Sequence, residues 1–227
     1  MARPDTLSAV ASLSLRFRRR RMKRFEREFG IGAGTLVLDI GGTPECWNLM
    51  AARPRVVLLN LPQAIGEPAG EELRVAGDGR LLPFRDGAFD VVFSNSAIEH
   101  VGGKSSQESF ARELARVGRG YWIQTPNRWF PVEQHLLTPF IHWLPKAWQR
   151  AIVPRCNLWN ALSRVTPERR RFYVHHFLRD IRLLGPREMR GLFPGARLIR
   201  ERFCGIAKSL IAVRRPPAPE DSSEQPI

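Results

Sequence analysis

Five short apolar runs recur over the first 125 residues, and each one closes on a polar or glycine-bearing turn. The first, 36–38, ends in Asp39 with Gly41 and Gly42 behind it. The second, 55–61, carries Val-Val-Leu-Leu and reaches Asn60. A third at 73–77 ends in Asp78, between Gly77 and Gly79. The fourth at 89–93 closes into Ser94-Asn95-Ser96, and the fifth at 121–124 stops at Thr125-Pro126-Asn127. The 36–38 run shows no polar alternation, the pattern of a strand buried on both faces of a parallel sheet. Ahead of the fifth run, Ser105 and Glu108 read as a capping box. Phe110, Leu114 and Val117 form an inner helical face there, and Gly118 stops the helix. Residues 62–72 are rich in Pro, Gly and Glu, so any crossover helix there is short or irregular.

From 126 to 180 the alternation pauses, and a pause that long in a compact domain is usually functional. Trp122 stands at its edge and Trp129, Trp143, Trp148 and Trp159 lie within it, while Pro139, Pro145 and Pro154 divide it into short helices. This segment reads as a small satellite core, a lid, or both. Residues 186–193 predict a helix with Pro186 in its first turn. The runs 196–203 and 207–213, separated by Cys204-Gly205, predict a terminal hairpin. Residues 214–227 are rich in Pro, Ser and Glu and predict a disordered tail. At the other end, 1–29 reads as a basic amphipathic helix with Met22, Phe25 and Phe29 on one face. It can pack that face on the domain, lie on an anionic membrane, or grip phosphates. The division expected is therefore a basic extension at 1–29, a domain at 30–213 with the insertion at 126–180, and a tail at 214–227. Gly30, Gly32 and Gly34 precede a strand instead of following one, so they are no dinucleotide fingerprint.

With 227 residues and 43% hydrophobic content, the chain can bury one good core. The formal charge of +14, from 36 Lys and Arg against 22 Asp and Glu, implies an anionic partner or simply a basic surface. Cys46, Cys156 and Cys204 are few and widely spaced, which excludes a disulfide framework and a zinc ribbon and fits a reducing, cytoplasmic compartment. The apolar stretch 8–15 is too short to span a bilayer, and its heaviest charge lies on the wrong side for a secretory signal.

Local strings sharpen the picture. Val37-Leu-Asp-Ile-Gly-Gly42 resembles the first motif of class I S-adenosylmethionine-dependent methyltransferases. Gly77-Asp78-Gly-Arg-Leu-Leu-Pro-Phe84, then Asp86-Gly-Ala-Phe-Asp-Val-Val-Phe-Ser94 and Ile98-Glu-His-Val101, resemble that family's bacterial "type 11" branch. Thr125-Pro-Asn-Arg-Trp-Phe-Pro-Val-Glu-Gln-His135 resembles a bacterial subgroup of the same enzymes. The resemblance covers roughly 34–213. It implies an α/β, Rossmann-like, doubly wound and mostly parallel seven-stranded sheet with a C-terminal antiparallel hairpin and a helical insertion after the fifth strand. It implies S-adenosyl-L-methionine across the carboxyl ends of the first four strands, in keeping with the rule for open α/β sheets. Asp39, Gly41 and Gly42 would border its methionine and ribose, Asn60 would reach the ribose hydroxyls, Asp78 beside Gly79 would take the adenine amino group, and Ser94 and Asn95 would floor the pocket. Two departures stand out. Thr43 and Glu45 occupy the places of the later motif glycines, and Asn60 replaces the usual carboxylate, giving up a charge-assisted bond.

Methyl transfer mainly requires alignment of nucleophile and methyl, and a hydroxyl or thiol acceptor also benefits from a base. His100, and His135 with Glu133 before it, are the candidates. His175 and His176 read as structural. Asn127, Arg128 and Trp129 are the candidate acceptor-binding residues. Some quinone-biosynthesis relatives place magnesium at a Glu-x-x-Glu-His string. Here Ser96 stands at the first glutamate, Glu99 and His100 alone suit magnesium poorly, and no metal is expected. Ser94-Asn-Ser-Ala97 lacks the Pro-Pro-aromatic string of base-amino methylating enzymes. The tryptophan-rich insertion suits an apolar or ring-bearing acceptor. The leading reading is O-methylation of a small or lipid-linked molecule, sugar or isoprenoid-like, with residues 1–29 in peripheral contact with an anionic membrane. The alternatives are an RNA methyltransferase and a catalytically silent methyltransferase-like binding domain, with nucleic acid the less favoured partner.

Overall fold

A seven-stranded sheet organises the chain, which we describe from a computed structural model covering residues 4–65, 72–155 and 166–217. Its strands are β1 (Leu36–Ile40), β2 (Arg55–Asn60), β3 (Leu73–Ala76), β4 (Phe89–Asn95), β5 (Gly118–Pro126), β8 (Arg197–Phe203) and β9 (Ile206–Arg214), in the order β3-β2-β1-β4-β5-β9-β8. The first five run parallel, and β9 joins β5 antiparallel and pairs with β8 as a hairpin. The expected mostly parallel sheet and terminal hairpin are both present. From β1 the chain winds outward through β2 and β3, then returns to β4 on the other side. The strand order therefore reverses between β1 and β4, where ligands settle in open α/β sheets.

Each sheet face has its own core. On one, α3 (Lys104–Val117) and α6 (Pro186–Leu192) bring Phe110, Leu114, Val117 and Met189 against Leu38, Ile40, Val92, Tyr121 and Ile123. On the other, α1 (Pro4–Phe29) brings Met22 and Phe25 against Val37, Phe93, Trp122 and Ile211. The expected apolar face of the basic leader is thus spent on the sheet, while Arg16, Arg19, Arg20, Lys23, Arg24 and Arg27 remain exposed. The link from β1 to β2 holds only the single-turn helix α2 (Pro44–Trp47), so α1 covers this face.

Two details differ from the sequence reading. The capping box at Ser105 and Glu108 does not form. The helix starts two residues earlier behind Gly103, without a side-chain cap, and Glu108 pairs with Lys104 at 3.7 Å. Arg214, assigned to the tail, ends β9, where its guanidinium lies 4.6 Å from the Tyr121 ring centroid and donates to the Ala115 carbonyl at 2.9 Å. Gly118 does stop α3, and it also opens β5. A Cβ there would lie 2.6 Å from Val92 Cγ2, so only glycine permits a helix to enter a strand without a loop.

After β5 come a two-residue ribbon of β6 (Val132–Glu133) and β7 (Thr138–Pro139), then α4 (Lys146–Ile152) and α5 (Pro167–Asp180). Leu136, Ile141, Val153, Val174, Phe177 and Ile181 form a satellite core. Trp129, Trp143 and Trp148 stay exposed, as does His175 on α5. Trp159, Cys156, the His176 side chain, 66–71 of the crossover and 218–227 of the tail lie outside the described residues. Among the described residues, no helix is long and apolar enough to cross a membrane.

Candidate functional site

At the reversal point the β1 turn meets the loop after β4. Gly41 adopts φ +76°, and a Cβ on it would lie 2.9 Å from Ala97 Cβ. Asp39 points beneath this turn and is fully buried. Its Oδ2 accepts from Trp47 Nε1 at 2.8 Å, while Oδ1 has no hydrogen-bond partner among the described residues. Gly42 sits directly over the carboxylate, since a Cβ built there would stand 1.7 Å from Asp39 Oδ2. Burial pushes the Asp39 carboxyl up to about 7, against the smaller downward pull of the Trp47 hydrogen bond.

That shift has a definite sign. Between about 4 and 7 the folded chain holds a proton on Asp39 that the unfolded chain has released, so this group's contribution to stability falls as pH rises. Asp39→Asn should therefore match the native protein near pH 4 and exceed it by a few kcal/mol near pH 8. Urea unfolding at the two pH values checks this; equal differences at both would place Asp39 in a solvated setting.

The neighbouring turns are knitted together. Asn60 Nδ2 donates to the Gly42 carbonyl at 3.1 Å, so the amide that replaces the usual carboxylate braces the glycine turn. Asp78 lies just past β3, part-exposed, with Arg80 Nε at 2.9 Å. The Arg80 hydrogen bonds hold its carboxyl below the ordinary range, opposing a small burial effect. Gly79 is buried because Phe110 leaves no room for a Cβ, the nearest ring carbon being 2.5 Å from where one would stand. Ser94 is buried and its hydroxyl donates to the Ile40 carbonyl at 3.2 Å, tying β4 to β1. The side chain of Asn95 accepts from Arg21.

Arg21 is a residue the sequence did not single out, being one of a run of arginines on the leader. It is buried, paired with Glu201 of β8 at 2.6 Å, and 3.2 Å from Gln124 Oε1. Helix α1 thereby reaches the carboxyl ends of β4 and β5. Ser96 beside it holds φ +58°, and its hydroxyl donates to Gln124 at 3.0 Å; such backbone strain in a non-glycine residue concentrates at functional sites.

The candidate bases converge. The turn Ile98–His100 follows β4, the ribbon β6 follows β5, and these bring the His100 and His135 rings edge to face at 5.0 Å. Glu133, fully buried, takes His135 Nδ1 at 2.6 Å on one oxygen and the Leu136 N–H at 2.7 Å on the other. Glu99, also fully buried, takes the Thr125 hydroxyl at 2.9 Å. Burial lowers the His135 basicity, but the Glu133 hydrogen bond and charge, aided by Glu99, outweigh it and raise its pKa above the ordinary histidine value. Burial raises the Glu99 carboxyl.

The acceptor-binding trio divides. Asn127 is buried, its Nδ2 donating to the Ala207 carbonyl at 2.7 Å and its Oδ1 accepting from the Trp129 N–H at 3.2 Å. It is a corner tie, because a polar side chain leaving β5 under the hairpin must satisfy backbone groups there, and it is not an exposed acceptor contact. Arg128 and Trp129 do reach the surface, the guanidinium 5.6 Å from the indole centroid. Arg128 also lines a cavity of about 200 Å³ with His142, Lys146, Phe177 and Arg182.

The strand-tip residues fit a cationic ligand: an orphaned buried carboxylate oxygen lies under a glycine turn that leaves space for backbone approach. Comparison with known proteins agrees with this reading. Residues 28–120 match the family described as "Methyltransferase domain". Among solved structures, the PH0226 protein of Pyrococcus horikoshii OT3 is 17% identical with a TM-score of 0.52, over 87% of this chain and 90% of that one. A putative Zn-dependent alcohol dehydrogenase of Rhodobacter sphaeroides is 12% identical with a TM-score of 0.55, over 86% and 87%. At such identities these likenesses speak to the fold alone. The matched domain spans residues 28–120, and the strand order and the glycine turn over Asp39 agree with the class I S-adenosylmethionine-dependent methyltransferase that the sequence resembles.

Proposed function

We propose that the acceptor is a hydroxyl on a small or lipid-linked molecule, sugar or isoprenoid-like. The observation that carries this is the buried Glu133–His135 pair beside Glu99 and His100, at the ends of β4 and β5. S-adenosylmethionine supplies a methyl group on positively charged sulfur, which needs an electron-rich oxygen opposite it. His135 donates Nδ1–H to Glu133, which leaves Nε2 to take the hydroxyl proton, and the Glu133 carboxylate stabilises the imidazolium that results. The exposed rings of Trp129, Phe140 and Trp143, with Arg128 among them, offer an apolar, cationic surface for such an acceptor. Incubation of the protein with methyl-tritiated S-adenosylmethionine and fractionated bacterial extract tests this. Label should enter the organic or small-molecule fraction; label confined to RNA would overturn the assignment.

The glycine turn makes its own prediction. Gly42→Ala drives a methyl into a carboxylate that Trp47 and the sheet hold in place. Stability should fall by about 1–3 kcal/mol, and S-adenosylmethionine affinity by about tenfold or more, since one pKa-scale unit of energy is a factor of ten. Calorimetry and urea unfolding read both.

For the membrane, deleting 1–29 is an uninformative test because it removes Phe25 from the core. Arg19→Glu, Arg20→Glu and Lys23→Glu together change only exposed positions. They should weaken flotation with phosphatidylserine vesicles by at least about tenfold, each cation contributing about 1 kcal/mol. Unchanged flotation would remove α1 from any membrane contact.

A further inference from the structure

Beyond the strand-tip turn, imidazoles and buried carboxylates meet at one place. Glu99, His100 and His135 each present a donor atom, and the three atoms lie within 4.8 Å of one another. We propose that these three side chains bind a divalent ion of the zinc and cobalt kind, with Glu133 holding His135 from behind.

Four features of the cluster point that way. Two imidazoles and one carboxylate form a borderline donor set that favours zinc-like ions over magnesium, which prefers oxygen throughout. Glu133 and His135 form the carboxylate–histidine pair that fixes a metal-binding tautomer: Nδ1 is taken at 2.6 Å, which leaves Nε2 as the nitrogen for an ion. Glu99 is anchored through Oε2 by Thr125, while Oε1 is buried, has no hydrogen-bond partner among the described residues, and sits 3.9 Å from His100 Nε2. Metal–ligand bonds near 2.1 Å put neighbouring donors about 3.4 Å apart, so donors now up to 4.8 Å apart must close by at most about 1.4 Å around an ion. That is a matter of side-chain torsion.

Glu99 and His100 by themselves suit magnesium poorly, and from them alone no metal was expected. The third ligand comes from beyond β5, and a different donor set chooses a different metal. Three protein ligands leave a coordination position open, the pattern of a catalytic rather than a structural site. An ion there would occupy the His135 Nε2 that takes the proton in the metal-free protein, and would instead lower the pKa of a bound hydroxyl, with the proton passing to solvent. That role rests on the acceptor proposed above; ion binding itself does not.

The full-length protein, stripped with chelator, should take up a single Co²⁺ per chain with a visible absorption band of nitrogen–oxygen ligation, and Zn²⁺ should displace it. Mg²⁺ should not compete. His135→Gln and His100→Gln should each weaken Zn²⁺ binding at least about tenfold, and Glu133→Gln by about 10- to 100-fold. His175→Gln, exposed on α5, should change nothing. Retained S-adenosylmethionine binding certifies that each variant is folded. Native protein that binds S-adenosylmethionine but no Co²⁺ or Zn²⁺ overturns the metal site and leaves the methyltransferase reading intact. Unaltered metal affinity in folded His135→Gln overturns it equally.

Discussion

In metal-free protein, His135→Gln should slow methyl transfer by about a hundredfold to ten-thousandfold while leaving S-adenosylmethionine affinity nearly unchanged, the range that a positioned acid–base group contributes. Glutamine keeps the size and one polar contact but cannot accept and hold a proton. Affinity should survive because the glycine turn and Asp39 sit on β1, whereas His135 follows β5. The pH profile gives a second readout. Glu133 raises the His135 pKa despite burial, so the basic form disappears as pH falls through a value above the ordinary histidine range. Native activity should drop below that value, and Glu133→Gln should move the midpoint down, because the carboxylate that stabilises the imidazolium is gone. If His135→Gln stays within about threefold of native, proton removal at this cluster is refuted, since base catalysis is worth at least about a hundredfold.

Phe25→Ala should cost about 3–5 kcal/mol. The ring has no solvent exposure and meets Phe93 at 4.9 Å, Phe29 at 5.2 Å, Trp122 at 5.8 Å and Trp47 at 6.1 Å between centroids. Its removal leaves a cavity under α1 that the sheet cannot close. For a chain of this length the loss corresponds to a melting temperature lower by about 6–20 °C. Trp47 also caps Asp39, so a loosened α1 face should weaken cofactor binding too. A loss below about 1 kcal/mol would mean that α1 is an appendage and that another element covers the face, since substitutions away from the core are that small.

The parallel strands were plain in the chain because burial on both faces demands unbroken apolar runs, and 36–38, 56–59 and 91–93 have them. Asp39 and Gly42 could be named as a pair, because a carboxylate at a strand end followed by glycines is a local pattern. What the pattern could not convey is that the glycine roofs the carboxylate. The same limit applied to Asn127, whose polar side chain reads as a ligand contact until the β8–β9 hairpin supplies the carbonyl it satisfies. Ser105 and Glu108 failed as a cap for a smaller reason: the helix began two positions early, and a cap depends on the exact first residue.

By itself the sequence determined the doubly wound sheet and pointed to the cofactor class and to His100, Glu133 and His135 as candidates, since these follow from local runs and short strings. The tertiary structure decided what those residues are to one another. His100 and His135 meet because β4 and β5 are parallel neighbours whose ends bring two separate loops together. Arg21 became part of the site because a basic helix lay down across the sheet and carried one guanidinium among many to Asn95, Gln124 and Glu201. Contacts between distant segments are set by which faces are left to bury, and no run of neighbouring residues encodes them alone.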